Sequence, residues 1–255
     1  MTPIVSRIAT PNLFFDALLL AVAALASSAT AGPGEQLAAG KFGRALDAAR
    51  GPAIVMPRDP CGETPFTVEC WVQLRSTTAR NTILSSEPTG SGGHWTLFSV
   101  AGSGALGVTL PGHVPAEVRS ERAIADGAWH HLALILEPAR VRLCVDGREV
   151  ATQALVRDAK KERRPGWLVL GGGAIDLPQA KCDGLIDEVR ISRGVRIIDT
   201  MPTAAPNADA ETVGLWHLDD FTAPGEFADA SPLGSPAWLA AGRSMDEIDR
   251  LSFKA

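Results

Sequence analysis

The sequence predicts an all-β protein, an antiparallel β-sandwich. Short runs of alternating apolar and polar residues recur along the chain, and turns rich in glycine or proline separate them. No long run has the apolar spacing of a helix. Short strands at regular spacing, divided by such turns, are typical of sandwiches and jelly rolls.

The stretch 127–150 shows this pattern most clearly. Its first part, Trp129–Leu136, is an apolar run that is short for a helix and rich in branched and aromatic residues, and a proline ends it. Alternation resumes over 141–145, and Asp146 and Gly147 then supply residues that tolerate the positive φ of a tight hairpin turn. The stretch therefore predicts three consecutive antiparallel strands.

Residues 66–74 alternate in the same way, with Phe66, Val68, Cys70, Val72 and Leu74 on one face. Trp71 falls on the more polar face, where we expect it to pack beneath a neighbouring loop or sheet. The segment 32–46 is predicted to be an irregular lead-in. Further strands are predicted at 53–56, 83–86, 95–100, 107–110, 167–170 and 184–192.

The composition fits one sandwich domain in a chain of 255 residues. A net charge of -5 gives no electrostatic case for binding nucleic acid. The one concentrated charge run is 157–165, with five basic and two acidic side chains. We expect a solvated loop there, which could also meet a sulfated or uronic polymer.

The N-terminus has the features of an export signal. Arg7 precedes the apolar run 17–26, and small residues at 29 and 31 fit a signal-peptidase site. We therefore predict a signal peptide at 1–31, with an uncleaved N-terminal anchor as the alternative, and no membrane span in the mature protein. The sandwich is predicted at 32–240, with its closing strand from 212–240. A C-terminal tail follows at 241–255, and the protein is expected to be secreted, periplasmic or in the cell envelope.

Export would place the four cysteines in an oxidising compartment, where thiols tend to pair. Three pairings are formally possible, and spacing alone does not decide among them. We favour disulfides between Cys61 and Cys70, which a short loop separates, and between Cys144 and Cys182. The cysteine and histidine spacing does not fit a zinc site.

Several segments carry a common family pattern. They are Gly40–Leu46 with Phe66–Val72, the Trp-His-His and Leu-Cys-Val-Asp-Gly motifs within 129–147, and Asp183–Ile191. In this order they closely resemble the laminin-G-like members of the concanavalin A-like lectin/glucanase superfamily. The resemblance covers roughly residues 40 to 220 and implies a laminin-G-like jelly roll.

A further segment, 213–231, resembles what many laminin-G-like domains carry at their beginning, although it stands near the end here. A sandwich whose termini meet at adjacent strands can accept this rearrangement, since the core is unchanged. We therefore expect it to close the sheet beside the early strands. Residues 244–247 have a capping-box pattern for a short helix in the tail.

The sequence gives little support for catalysis. The glycine pattern at 102–107 lacks the following helix that a dinucleotide site needs. His130 and His131 should point to opposite faces of a strand, and no Gly-x-Ser-x-Gly motif is present. Glucanases of the superfamily carry a triplet of carboxylates on one strand face, whereas Asp187 and Glu188 are adjacent and expected to face opposite ways. We therefore predict a protein that is not an enzyme.

The resemblance also implies candidates for binding. It would bring Asp187 and Asp229 close together as ligands of a structural calcium ion; a salt bridge or turn cap is the alternative for Asp187. The best candidates for sugar contacts are His94 and Trp95, which follow a glycine-rich loop, and Trp167, beside the basic run. For both tryptophans a place in the core is the alternative.

We therefore expect a non-catalytic exported domain that binds extracellular glycan or a cell-surface protein. A structural domain for envelope assembly is the second hypothesis. A glycan hydrolase of the glucanase superfamily is a weaker third.

Overall fold

The computed structural model describes residues 36–50, 54–56, 61, 63–86, 88–164, 166–172, 181–240 and 250. In chain order the strands are β1 (Leu37–Ala39), β2 (Arg44–Asp47), β3 (Ile54–Met56), β4 (Phe66–Leu74), β5 (Asn81–Ser86), β6 (Thr96–Ser99), β7 (Ala105–Thr109), β8 (His113–Val114), β9 (Glu117–Ala123), β10 (Trp129–Glu137), β11 (Arg140–Val145), β12 (Arg148–Ala154), β13 (Val156–Arg157), β14 (Leu168–Leu170), β15 (Gly184–Arg193), β16 (Thr212–Trp216), β17 (Phe221–Ala223), β18 (Glu226–Phe227) and β19 (Ala237–Leu239).

Within these residues the strands form two large antiparallel sheets. The first has the order β1-β2-β15-β4-β10-β11-β12, with β16 also paired to β15. The second has the order β17-β18-β19-β3-β14-β5-β6-β7-β9. A separate ribbon joins β8 to β13. The predicted all-β sandwich of the jelly-roll type is therefore confirmed.

The three strands predicted in 127–150 are confirmed as β10, β11 and β12, paired in sequence. At their second turn Asp146 and Gly147 have φ values of 52° and 77°, which few residues other than Asp, Asn and Gly adopt readily. The alternating apolar residues of β4 lie in the core between the sheets, as predicted.

Loops cover part of the outer face of the first sheet. Trp71 is 1% exposed. The ring of Phe42 meets it edge-on with centroids 5.8 Å apart, and Lys41 Nζ lies 4.6 Å from its ring centroid. Farther along the face, Ile198 packs against Ala133 and its neighbours. Trp71 therefore packs beneath a loop, as expected, and is not an exposed platform.

His130 and His131 have separate structural partners. His130 Nδ1 lies 2.8 Å from Asp146 Oδ2, at the rim of the sheet. The ring of His131 lies 5.4 Å from that of Trp71, on the outer face. Burial, helped by the nearby Arg190 charge, lowers the pKa of His131 to about 4, which keeps it neutral. Neither ring is placed to share a ligand with the other.

The prediction of an irregular lead-in before residue 47 is wrong, because β1 and β2 form a hairpin there. Its turn is closed by Gly40 N donating to Gly43 O at 3.0 Å, and Gly43 has a φ of 62°. Ala45 and Leu46 are fully buried. The glycines that suggested irregular structure in fact make this turn.

The closing segment joins both sheets. β16 pairs with residues 189–192 of β15, while β2 pairs with 185–186 of the same strand. Farther on, β19 pairs with the early strand β3. Arg44 N also donates to Asp219 Oδ1 at 2.7 Å. The end of the domain therefore lies beside its beginning.

Asp187 and Glu188 do not face opposite ways as expected, because a β-bulge interrupts the alternation of β15. The pairing of β15 with β4 shifts between Asp187 and Arg190, and Glu188 has a φ of 51°. Ile186 and Val189 both lie in the core, so the bulge keeps both acidic residues between them out of the interior face. Simple alternation fails at such an extra residue.

The predicted disulfides are not found; no disulfide bond joins Cys61 to Cys70 or Cys144 to Cys182. Cys182 lies in the core between the sheets, whereas Cys144 packs with Ala133 in the cluster on the outer face. The first sheet thus separates these two thiols. Burial raises the pKa of Cys70 to about 12, and the cysteines act as buried apolar residues.

The predicted signal peptide at 1–31 and the capping-box helix at 244–247 lie outside the described residues. Among the helical residues that are described, none forms a segment long and apolar enough to span a bilayer.

Candidate functional site

A small open pocket lies where three loop regions meet at one edge of the sandwich. They are the glycine-rich loop 88–94, the β8–β13 ribbon and the basic loop 158–164. The lining residues are Thr64, Phe66, Gly92, Gly93, His94, His113, Leu136, Pro138, Arg157 and Arg163. Its volume is about 140 Å³.

Hydrogen bonds attach the glycine-rich loop to the basic loop. Gly92 N donates to Glu162 O at 2.7 Å, and Ser91 Oγ accepts from Arg164 N at 2.8 Å. A Cβ at Gly93 would come within 3.1 Å of Arg163 Nε. Glycine at this position therefore lets the Arg163 side chain lie against the loop.

The ribbon brings two more polar side chains to the pocket. His113 on β8 pairs in register with Arg157 on β13. Asp158 N donates to Gly112 O at 2.8 Å, and Gly112 packs directly against the backbone of Gly92. These contacts hold the three loop regions together.

The walls of the pocket differ in character. Phe66, Leu136 and Pro138 form an apolar side, whereas Thr64, the histidines and the arginines supply polar groups. A cavity of about 150 Å³ holds a molecule the size of benzene. The pocket therefore has room for one ring-sized group or a smaller substituent.

The local field in the pocket is positive. Burial lowers the pKa of His113, and the charges of Arg157 and then Arg163 lower it further. Among the described atoms, His113 Nδ1 is also buried without a hydrogen-bond partner. His113 is therefore neutral at neutral pH.

Of the predicted sugar-contacting residues, the structure places His94 in this pocket. Its Nδ1 contacts the backbone oxygen of Ser86, and its Nε2 lies 3.0 Å from Thr96 Oγ1. A carbonyl can only accept, so Nδ1 carries the proton and Nε2 accepts from the hydroxyl. His94 is 7% exposed and forms a fixed wall.

The two tryptophans are placed differently. Trp95 is 1% exposed and packs in the core with its ring 5.9 Å from that of Phe66, so its predicted role as a sugar platform is wrong. Trp167 is half-buried and does not line the pocket. Its Nε1 is buried without a partner among the described atoms.

The predicted calcium ligands Asp187 and Asp229 have other hydrogen-bond partners. Asp229 accepts hydrogen bonds at 2.7–2.8 Å from Leu215 N, Ser231 N, Ser231 Oγ and Ser235 N. Asp187 Oδ2 accepts from Lys41 N at 2.8 Å and Phe42 N at 3.1 Å.

This donor set fits a structural ion poorly. Among the described residues, no cluster of three or more His, Cys, Asp or Glu side chains could hold a metal. One oxygen, Asp187 Oδ1, is buried without a partner. Calcium binding stays a prediction, which calorimetric titration of chelator-stripped protein tests.

Asp187 and Glu188 are not available as a catalytic pair. Their exposed fractions are 0% and 2%. Burial, together with the charges of Glu188 and Asp219, raises the pKa of Asp187 to about 7. Glu188 Oε2 lies 2.6 Å from His217 Nδ1, and this contact raises the pKa of His217. A polysaccharide could not reach either carboxylate directly.

Sequence reasoning marked the basic run and the glycine-rich loop separately but did not select His113, Arg157 or Arg163 as ligand contacts. The useful signal was the charge of the run, which supplies both arginines. Nothing in the sequence spacing indicated that His113 would lie beside them.

Residues 49–196 match the model of a laminin-G family described as the concanavalin A-like lectin/glucanases superfamily. No curated protein sequence matches the chain. Because the family match covers more than half of the chain, this protein belongs to that superfamily, as its sequence motifs predicted.

Several solved structures are similar to this one. A Bacteroides ovatus protein, described as a candidate carbohydrate binding protein, has 17% identity and a TM-score of 0.54, covering 73% of this chain and 55% of its own. Domain 4 of the arabinanase AbnA from Geobacillus stearothermophilus, in complex with arabinotriose, has 22% identity and a TM-score of 0.44, covering 62% and 74%.

Mouse laminin α1 domains LG4-5 have 16% identity and a TM-score of 0.44, covering 61% of this chain and 43% of theirs. The match with the Bacteroides ovatus protein spans about half of that protein's length. At 17% identity, the likeness to the Bacteroides ovatus protein concerns the fold alone.

Proposed function

We propose that this protein is a non-catalytic glycan-binding module and that the pocket between the three loop regions receives a sugar residue or one of its substituents. The observation that carries the proposal is the pairing of an apolar wall with hydrogen-bonding side chains in one open pocket. Carbohydrate has the same mixed character, since apolar C–H faces alternate with hydroxyl groups.

The size of the pocket supports recognition of a single unit. At about 140 Å³ it is smaller than the sites of drug-sized ligands, which occupy roughly 300–1,000 Å³. A glycan would therefore place one group in the pocket and leave its remaining units outside. The Bacteroides ovatus protein, described as a candidate carbohydrate binding protein, shares this fold.

Two further parts of the proposal concern chemistry and location. The burial of Asp187 and Glu188 supports binding without hydrolysis. The apolar run and small residues of the segment 1–31 support export, so we propose a secreted, periplasmic or envelope protein that meets glycans outside the cytoplasm.

A glycan array with two matched variants tests the proposal. Thr64 lines the pocket, and Thr64→Trp fills it with an indole. Thr152 is exposed on β12, and Thr152→Trp adds the same group there as a control. We expect wild type and Thr152→Trp to bind the same glycans, and Thr64→Trp to lose them while melting within a few degrees of wild type.

An array on which the wild type binds nothing would contradict the proposal and favour the alternative of a structural assembly domain or a cell-surface protein partner. Retained binding by folded Thr64→Trp would move the site elsewhere on the molecule. Release of reducing sugar from a polysaccharide panel would contradict the non-catalytic part.

A further inference from the structure

The pocket concentrates positive charge. Two of its lining side chains, Arg157 and Arg163, carry a fixed positive charge, and no lining residue is acidic. The whole chain, in contrast, has a net charge of -5. The cationic lining is therefore a local feature.

Some arginines elsewhere in the described structure pair with carboxylates. Arg190 donates to both oxygens of Glu69 at 2.8 and 2.9 Å, and Arg196 bonds Asp209. Arg157 is exposed at the pocket, and no described carboxylate lies within ion-pair distance of it. Its guanidinium donors are available to a ligand.

The acidic side chain of Glu137, between two lining residues, is directed to other contacts. Glu137 bonds Arg140 at 2.8 Å and lies 3.5 Å from Arg142, although its neighbours Leu136 and Pro138 line the pocket. Glu162 approaches the pocket through its backbone oxygen, which Gly92 N contacts. The fixed charges at the lining are therefore cationic.

The two arginines lie on different elements, Arg157 on β13 and Arg163 on the basic loop. Arg157 is fixed by the ladder to β8, and Arg163 lies against Gly93 on the opposite loop. A guanidinium offers planar, paired donors that match the two oxygens of a carboxylate or a sulfate. Two guanidinium groups that line one small pocket can therefore bind the same anionic group.

We propose that the pocket selects glycans whose bound sugar carries an anionic substituent, either a uronate carboxylate or a sulfate ester, held between Arg157 and Arg163. The inference rests on the proposed glycan-binding function and assigns its ligand class. The substituent occupies the polar side, and the sugar ring lies against Phe66, Leu136 and Pro138. A neutral glycan of the same shape brings no charged acceptor to the pocket.

Calorimetric titration with matched probes tests the ligand class. One pair is trigalacturonate and its fully methyl-esterified form, which differ in charge but not in skeleton. The other is a sulfated galactose disaccharide and its desulfated form. We expect at least one charged member to bind about tenfold or more tightly than its neutral partner, with affinity falling as salt rises.

Three conservative variants then locate the effect. Arg157→Gln and Arg163→Gln remove one charge each while keeping polar side chains of similar length. We expect each to reduce the affinity for the charged probe about tenfold and to change the affinity for the neutral probe much less, because glutamine keeps a hydrogen-bonding group. Arg148→Gln removes a charge from exposed β12, outside the pocket lining, and is expected to match wild type.

The outcomes separate this inference from the function on which it rests. Equal affinity for charged and neutral probes, unchanged in Arg157→Gln and Arg163→Gln, would overturn the anionic selectivity and leave glycan binding standing. Binding to neither probes nor array would overturn both. Tighter binding of the carboxylate probe than of the sulfate probe, or the reverse, identifies the substituent. Loss of that preference in Arg157→Gln and Arg163→Gln, but not in Arg148→Gln, supports the proposal.

Discussion

His113 lies directly opposite Arg157 on the two-stranded ribbon formed by β8 and β13. This pairing places a titratable ring beside a fixed positive charge at the rim of the pocket. The ring is neutral at neutral pH, because burial and the charges of Arg157 and Arg163 lower its pKa. A negative charge bound in the pocket raises the pKa of His113, which is opposite to the effect of the two arginines.

Affinity for an anionic probe is expected to rise as pH falls from 7.5 to 5.5. The groups facing His113 are Arg157 and Arg163, which stay charged, and His94 lines the same pocket. A bound anion raises the pKa of His113, so binding is accompanied by uptake of a proton and becomes tighter at low pH. The gain in affinity is at most about tenfold for each unit by which the pKa of His113 rises. Calorimetry across this range measures the change in affinity.

The control for this pH effect is His113→Gln, which keeps a hydrogen-bonding side chain but cannot titrate. We expect its affinity for the anionic probe to vary little between pH 5.5 and 7.5. An equally steep dependence in the variant would assign the effect to another group.

Asp187→Asn should stabilise the protein above neutral pH. The folded-state pKa of Asp187 is raised from 3.8 to about 7, so its contribution to stability is complete below about pH 4 and is lost as pH rises towards and through 7. At about 1.4 kcal/mol per pKa unit, the loss is at most about 4 kcal/mol. The amide keeps an acceptor for Lys41 N and Phe42 N without gaining charge.

Urea unfolding at pH 5 and pH 8 measures this difference. We expect the variant to lose less free energy of unfolding than wild type between the two values. Asp220→Asn, at a side chain that is 81% exposed, serves as the control and should follow wild type. A variant less stable than wild type at pH 8 would contradict the assignment of a buried, unfavourable charge.

Trp95→Ala should destabilise the protein by about 3–5 kcal/mol, because Trp95 is fully enclosed in the core. Trp167→Ala removes the same side chain from a half-buried position and should cost clearly less. Urea denaturation compares the two variants. Equal losses in the free energy of unfolding would contradict the different burial of the two side chains. A stable Trp95→Ala protein that no longer binds glycan would show instead that Trp95 is a contact residue.

Cys70, Cys144 and Cys182 are expected to be slow to react with a thiol reagent in the folded protein and to react fully after denaturation without reductant. All three are at most 2% exposed. Alkylation in denaturant followed by peptide mass spectrometry reads each position. A peptide linking Cys144 to Cys182 would contradict the placement of these residues on opposite faces of the first sheet.

The regular part of the fold could be predicted from local pattern. Alternation in β4 and the Asp146 turn required only that strands expose one face to the core and that few residue types adopt positive φ. The same reasoning failed at Glu188, because a bulge adds one residue and keeps both Asp187 and Glu188 off the interior face.

The site could be predicted only in pieces. His94 and the basic run were marked for good chemical reasons, but their proximity depends on the order of strands in both sheets and on the β8–β13 ribbon. Two strands of two residues each give no detectable periodicity. Trp95 could not be assigned to surface or core, because a tryptophan after a turn occurs in both places.

The most direct test of the central claim is an NMR titration of ¹⁵N-labelled protein with trigalacturonate and with the sulfated galactose disaccharide. For a probe that binds, we expect the largest chemical-shift changes on the backbone amides of Gly92, Gly93 and His113 and on the side-chain Nε of Arg157 and Arg163. Changes centred on another surface, such as the exposed Ile197, would contradict it. An unchanged spectrum with both probes would contradict it as well.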